Sequence, residues 1–182
     1  EKVSNEVLIQ IGQVRSLLDR HGFLLNDVLL RQNPHSVDDW LIRVSLVKQH
    51  SQDRTEAVME AFEDALRTVN PRKAAVSRLW IELSRYLELK GAIDPARQVF
   101  KRALEWGQID YSTAVDLETV LLAAAELEIR HEEIQNGLDI IYSVLSAGRK
   151  KTGREVWDKI QKSLVLWNFL IDTEEARGAT SA

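Results

Sequence analysis

The stretch LWIELSRYLELKGAIDPARQVFKRAL, residues 79–104, decides the fold. Apolar residues recur at helical spacing on both sides of its centre. Val76, Leu79, Trp80, Leu83 and Leu87 line the first half; Ala96, Val99, Phe100, Ala103 and Leu104 line the second. Between them Gly91 suits a left-handed helix end, Asp94 a cap for the next helix, and Pro95 a first-turn position where no amide donor is missed. This is a short helical hairpin, and a single hairpin cannot bury its own apolar face.

The same pattern extends outward. Val58, Ala61, Phe62, Ala65, Leu66 and Val69 form one helical face, and Asp53 with Glu56 three residues on gives a start signal before it. Further upstream, in LLRQNPHSVDDW (29–40), Pro34 ends a helix near Arg31 or Gln32. Ser36 then caps a new helix, and Asp38 and Asp39 place negative charge at its positive end. Bulky residues recur in register: Trp80 lies 40 residues after Trp40, Leu121 follows 41 later, and Trp167 46 after that. In the second helices Phe62 and Phe100 are 38 apart, with Ile141 41 further on. A period near 40 with two helices per unit is that of armadillo, HEAT and half-a-tetratricopeptide arrays, against about 34 for tetratricopeptide and about 33 for ankyrin units.

The expected architecture is all-α, an α-α superhelix: one right-handed solenoid of antiparallel helix pairs over residues 1–182. An opening pair spans about 4–20 and 23–32, and further pairs span 36–49 with 53–69, 76–90 with 94–106, and 113–131 with 133–146. A last helix over about 155–177 has no partner. Trp40, Phe62, Trp80, Phe100, Leu121, Ile141 and Trp167 are the expected packing residues between units. The unpaired helix leaves Leu164, Trp167 and Ile171 uncovered, so this end is expected to be sticky and to support a homodimer.

Composition agrees with one helical domain. The hydrophobic content is 45%, enough for a core, and 8 glycines and 3 prolines in 182 residues leave few breaks. No cysteine is present, which excludes a disulfide framework, thiolate metal sites and thiol redox chemistry. Apolar runs such as Val120 to Ala125 fall far short of the roughly 20 residues of a membrane helix, so no membrane partner is expected. Glu1 in place of methionine and the tail GATSA suggest a piece of something longer.

Ala-Arg-x-Val-Phe-x-Arg-Ala within ARQVFKRAL (96–104), with Trp80, Leu83 and Glu88 in the partner helix, resembles a half-a-tetratricopeptide (HAT) repeat, found mainly in RNA-processing proteins. LLNDVLLRQNPHSVDDW (24–40) narrows the resemblance to the larger HAT-repeat splicing factors of the NineTeen complex, the SYF or XPA-binding-protein-two family. AAAELEIRHEEIQNGLDII (123–141) and KSLVLWNFLIDTEEARG (162–178) are similar to later segments of that family, so the likeness covers nearly the whole chain. Three features depart from its pattern: Leu121 replaces a tryptophan, Gly137 and Val144 hold small-residue positions, and Lys48 stands where an acid is common. They imply a less regular third hairpin, and Gly137 should cost its helix about 0.5–1 kcal/mol against alanine.

The resemblance implies a nuclear, non-catalytic scaffold in mRNA processing. It would sit in the spliceosome and hold other NineTeen-complex proteins, including a crooked-neck-like HAT protein, around the RNA core. Animal members are also linked to transcription-coupled repair.

The residues themselves offer little catalytic chemistry. His21, His35, His50 and His131 show no metal-binding spacing, and His131 with Glu132 and Glu133 lacks the second histidine of a zinc-protease motif, since position 135 is Gln135. No cofactor, phosphate loop or nucleophile elbow is indicated. The net charge of −4 argues against a surface that binds nucleic acid throughout. A local basic edge remains a candidate for contact with RNA or an acidic partner. It comprises Arg149, Lys150, Lys151, Arg154, Lys159 and Lys162, with Arg72 and Lys73 on another connection between repeats. RNA binding through this edge is the alternative reading. Arg97 and Arg102 are expected to bridge to acids on adjacent helices.

Overall fold

The structure is a computed structural model that describes residues 2–51, 54–110, 114–146 and 159–180, and every element of three residues or more there is helical. The helices are α1 (Lys2–Gln32), α2 (Val37–His50), α3 (Thr55–Thr68), α4 (Ser77–Leu89), α5 (Ile93–Asp110), α6 (Ala114–Arg130), α7 (Ile134–Ser146) and α8 (Leu164–Thr180). They fall into two compact units, residues 1–70 and 71–182.

In the first unit α1 is one continuous helix of 31 residues, where the sequence suggested a break at His21-Gly22. The reason lies in α2: a Cβ on Gly22 would stand 3.2 Å from the Leu46 side chain. That glycine serves a close helix approach and does not end a helix. The real end comes at Pro34, where the Asn33 amide still donates to the Leu29 carbonyl. Ser36 then caps α2 by accepting from the Asp39 amide, with Asp38 and Asp39 in the first turn. Asp53 lies outside the described residues; α3 starts after Arg54, which makes no side-chain cap. All six residues of the expected α3 face, from Val58 to Val69, are buried, with Val37 and Val44 of α2 beside them.

In the second unit the 79–104 stretch forms the α4–α5 hairpin. Gly91 adopts φ 75°, and the Ala92 amide donates back to the Leu87 carbonyl, closing the end of α4. The cap of α5 differs from expectation: the Ala96 amide donates to the Ala92 carbonyl, so Asp94 lies inside the first turn, where its charge still suits the dipole. The α6–α7 hairpin repeats this turn 41 residues on, with Glu132 at φ 64° and the Glu133 amide donating to the Glu128 carbonyl. That offset carries Trp80 onto Leu121, the pairing expected from the period. Ser163 caps α8 by accepting from the Leu166 amide, and Ile160, Leu166 and Leu170 are buried.

Candidate interaction surface

Charged side chains fasten neighbouring hairpins of the second unit to each other. Arg97 on α5 reaches Glu128 on α6 with a forked guanidinium contact, Nη2 to Oε2 at 2.8 Å and Nε to Oε1 at 3.0 Å, while its Nη1 donates to Asp94 at 3.3 Å. Glu88 on α4 accepts a second fork from Arg130 on α6 at 2.8 and 3.0 Å, and His131 Nε2 lies 3.0 Å from its Oε1. The Arg130 hydrogen bond holds the Glu88 carboxyl below its ordinary range against the opposing effect of burial, with the Arg130 charge and His131 adding to it. The same bonds raise Arg130, and the Glu128 bond raises Arg97. A third link is buried: the Ser77 hydroxyl donates to Asp116 at 2.9 Å. Arg102 lies over the Trp80 ring, with 5.5 Å from guanidinium carbon to ring centroid.

Small residues set the hairpin spacing. The Ser84 hydroxyl donates to the Ala96 carbonyl at 3.4 Å where α4 meets α5. The positions 41 residues later are Ala125 and Gly137, and a Cβ on Gly137 would lie 2.9 Å from the Ala125 carbonyl oxygen. Gly137 therefore permits the α6–α7 contact, contrary to its expected role as a weak point.

Two tryptophans share a loop-fastening geometry that the period alone did not disclose. The Trp40 indole donates to the Pro34 carbonyl at 2.9 Å, and the Trp167 indole to the Gln161 carbonyl, also at 2.9 Å. Both carbonyls lie six residues before the ring. Each ring also follows its serine cap by four residues, Ser36 and Ser163, and that spacing was the available signal.

Comparison with known families places these features. Residues 1–69 match the model of the pre-mRNA-splicing factor SYF1 middle HAT repeat, and residues 70–182 match that of the Syf1/CRNKL1 C-terminal HAT repeat. The chain belongs to the SYF1 HAT-repeat family. Human pre-mRNA-splicing factor SYF1 is 32% identical over 93% of this chain and 20% of its own length. The Drosophila melanogaster syf1 homologue is 30% identical over 95% of this chain and 20% of its own length, and Schizosaccharomyces pombe cwf3 is 30% identical over 91% and 21%. The chain thus spans about a fifth of the length of the relatives it matches. Its fold class is the all-α, α-α superhelix class of HAT repeats.

On this SYF1-family chain the expected packing residues fall into two groups. Phe62, Trp80, Phe100, Leu121 and Ile141 are buried, Trp40 is half-buried, and Trp167 is 44% exposed. Arg149, Lys150, Lys151 and Arg154 lie outside the described residues. Lys159 and Lys162 are exposed just before α8, and Arg72 and Lys73 just before α4, so the two pairs occupy different connections. Beside the Arg97–Glu128 pair opens a groove of about 490 Å³ walled by Asn136, Asp139, Ile140 and Ser143. The two charges at its floor satisfy each other, so it offers shape more than a free charge. Among the described residues no three His, Asp or Glu side chains gather in a way that could hold a metal ion.

Proposed function

We propose that this chain is a non-catalytic scaffold segment for pre-mRNA splicing, its HAT repeats holding protein partners as the NineTeen complex assembles within nuclear spliceosomes. Membership of the SYF1 family across residues 1–182 is the observation that carries this reading. The charge geometry supports it: Glu88, Arg97, Glu128 and Arg130 are engaged with one another between hairpins, as structural fastening demands, and do not converge on a reactive centre. The reading includes a single repeat array over residues 1–182 and a crooked-neck-like HAT protein among the partners.

The test is capture from nuclear extract by the purified chain, with and without ribonuclease. Recovery of NineTeen-complex proteins after ribonuclease is the expected result; loss of every spliceosomal protein on that treatment would sink it. The second reading, RNA contact through a basic edge, draws on the exposure of Lys73 and Lys162. It requires RNA affinity that falls steeply with salt and with charge reversal at Lys150 and Lys151.

A further inference from the structure

The groove beside the Arg97–Glu128 pair has a floor and a wall of different chemistry. On the floor Arg97 is engaged by Glu128 and Asp94. The wall is one face of α7: Asn136, Asp139, Ile140 and Ser143 stand at i, i+3, i+4 and i+7, within about 100° of one another around the helix axis. Asp139 is the middle polar member. Asn136 lies one turn before it and Ser143 one turn after, each about 5–6 Å away between Cβ atoms.

Hydrogen bonds hold all three polar groups in place. Arg177 of α8 donates to Gln135 Oε1 at 2.7 Å, which turns the Gln135 amide nitrogen to donate to Asp139 Oδ1 at 2.8 Å. Asn136 Nδ2 donates to Glu133 at 3.3 Å, and the Ser143 hydroxyl donates to the Ile140 carbonyl at 2.8 Å. What the wall still offers is acceptors: the second Asp139 oxygen, the Asn136 carbonyl and the Ser143 oxygen, beside one remaining N–H of Asn136. Among the described residues Asp139 meets no cation.

We infer that this groove binds an arginine side chain of a partner polypeptide, forked on Asp139, with its other N–H groups toward the Asn136 and Ser143 oxygens and its hydrocarbon stem along Ile140. The inference deepens the splicing reading, in which the chain holds protein partners, by naming the chemistry of one contact. Three features select arginine. The guanidinium only donates, so it meets an acceptor wall and brings no acceptor of its own to be satisfied. Its planar fork matches a carboxylate with two parallel bonds and has N–H groups left for acceptors on either side, where a lysine ammonium is a single point with three donors. The field has the right sign as well: among the described groups that line the groove or bond to its lining, Asp94, Glu128, Glu133 and Asp139 are acids and Arg97 is the base. An RNA phosphate would find the reverse, since Arg97 is already engaged and the lining has no aromatic ring on which a base could stack. The volume of about 490 Å³ lies within the range of roughly 300–1,000 Å³ for clefts that take a ligand, enough for one side chain and the backbone beside it.

The test is amide NMR on the 182-residue chain, titrated with a capped pentapeptide that carries one central arginine among glycine and alanine. Saturable shifts centred on residues 136–143 are expected, with a Kd of about 1 mM or tighter. The lysine counterpart should bind at least about fivefold more weakly. The citrulline counterpart, which keeps the shape without the charge, should bind at least about tenfold more weakly. Asp139→Asn should weaken the arginine peptide by at least about tenfold, whereas Glu175→Gln, at an exposed acid of α8, should leave it within about threefold. If Asp139→Asn alters the spectrum beyond its neighbours, Asn136→Ala/Ser143→Ala gives a second comparison, with a loss of at least about threefold. The inference is overturned by shifts that do not saturate by about 10 mM, by equal binding of either counterpart, or by an unchanged Kd in the folded α7 variants. Such a result alongside continued capture of NineTeen-complex proteins from extract removes the arginine site and leaves the splicing reading. Arginine binding without any spliceosomal capture does the opposite.

Discussion

An alanine at position 137 would put its methyl carbon 2.9 Å from the Ala125 carbonyl oxygen, closer than such atoms approach. Helix propensity favours alanine over glycine by about 1 kcal/mol, whereas forcing two helix backbones apart costs about 1–3 kcal/mol. Gly137→Ala should therefore destabilise the chain, and chemical denaturation reads the sign directly. Glu132 gives the opposite case. It holds φ 64° where the preceding hairpin uses Gly91, a conformation that costs a side-chain-bearing residue about 1–2 kcal/mol. Glu132→Gly should raise stability by about 1 kcal/mol, measured as a shift in denaturation midpoint. Residues with purely local roles were legible in the sequence: the Ser36 cap and the left-handed Gly91 needed no knowledge of distant neighbours. Gly137 was misread because its partner, Ala125, becomes visible only once the hairpin is closed.

At the scale of the helix, the same distinction separates α3 from α1. The buried face of α3 follows from apolar spacing alone, because a run of 14 residues with one stripe has one way to be covered. α1 defeated that logic: Gly22 next to His21 reads as a stop, and only Leu46 on α2 explains why the helix runs through it. The entries to α2 and α8 rest on a serine cap plus an indole hydrogen bond across the loop. Trp40→Phe keeps an aromatic side chain but removes the donor to Pro34, and the lost hydrogen bond alone should cost about 0.5–1.5 kcal/mol. Amide exchange in the first turn of α2 should quicken while that in α3 changes less, which localises the effect to the helix start.

Across the molecule, the fork at Glu88 between α4 and α6 ties stability to pH. The folded Glu88 carboxyl ionises below its ordinary 4.5, so its contribution is complete above that value and is lost as pH falls through the folded one. Glu88→Gln should therefore lower stability at neutral pH and flatten the loss below about pH 4.5, followed by denaturant titrations at several pH values. Glu128 makes a sharper comparison because its side chain is only 10% exposed. Arg97→Met strands that carboxylate, and the double variant Arg97→Met/Glu128→Leu should be the more stable of the two. The sequence led to Arg97 bridging an acid on an adjacent helix but not to which acid, since an Arg and a Glu 31 positions apart carry no mark of their meeting. The mechanical consequence of the forks is distinct from their effect at equilibrium. Under a stretching force, α4–α5 and α6–α7 should not peel away one hairpin at a time. The two forks load α6 from both α4 and α5, so all four helices should give way in a single extension step, and removing the forks should split that step into two.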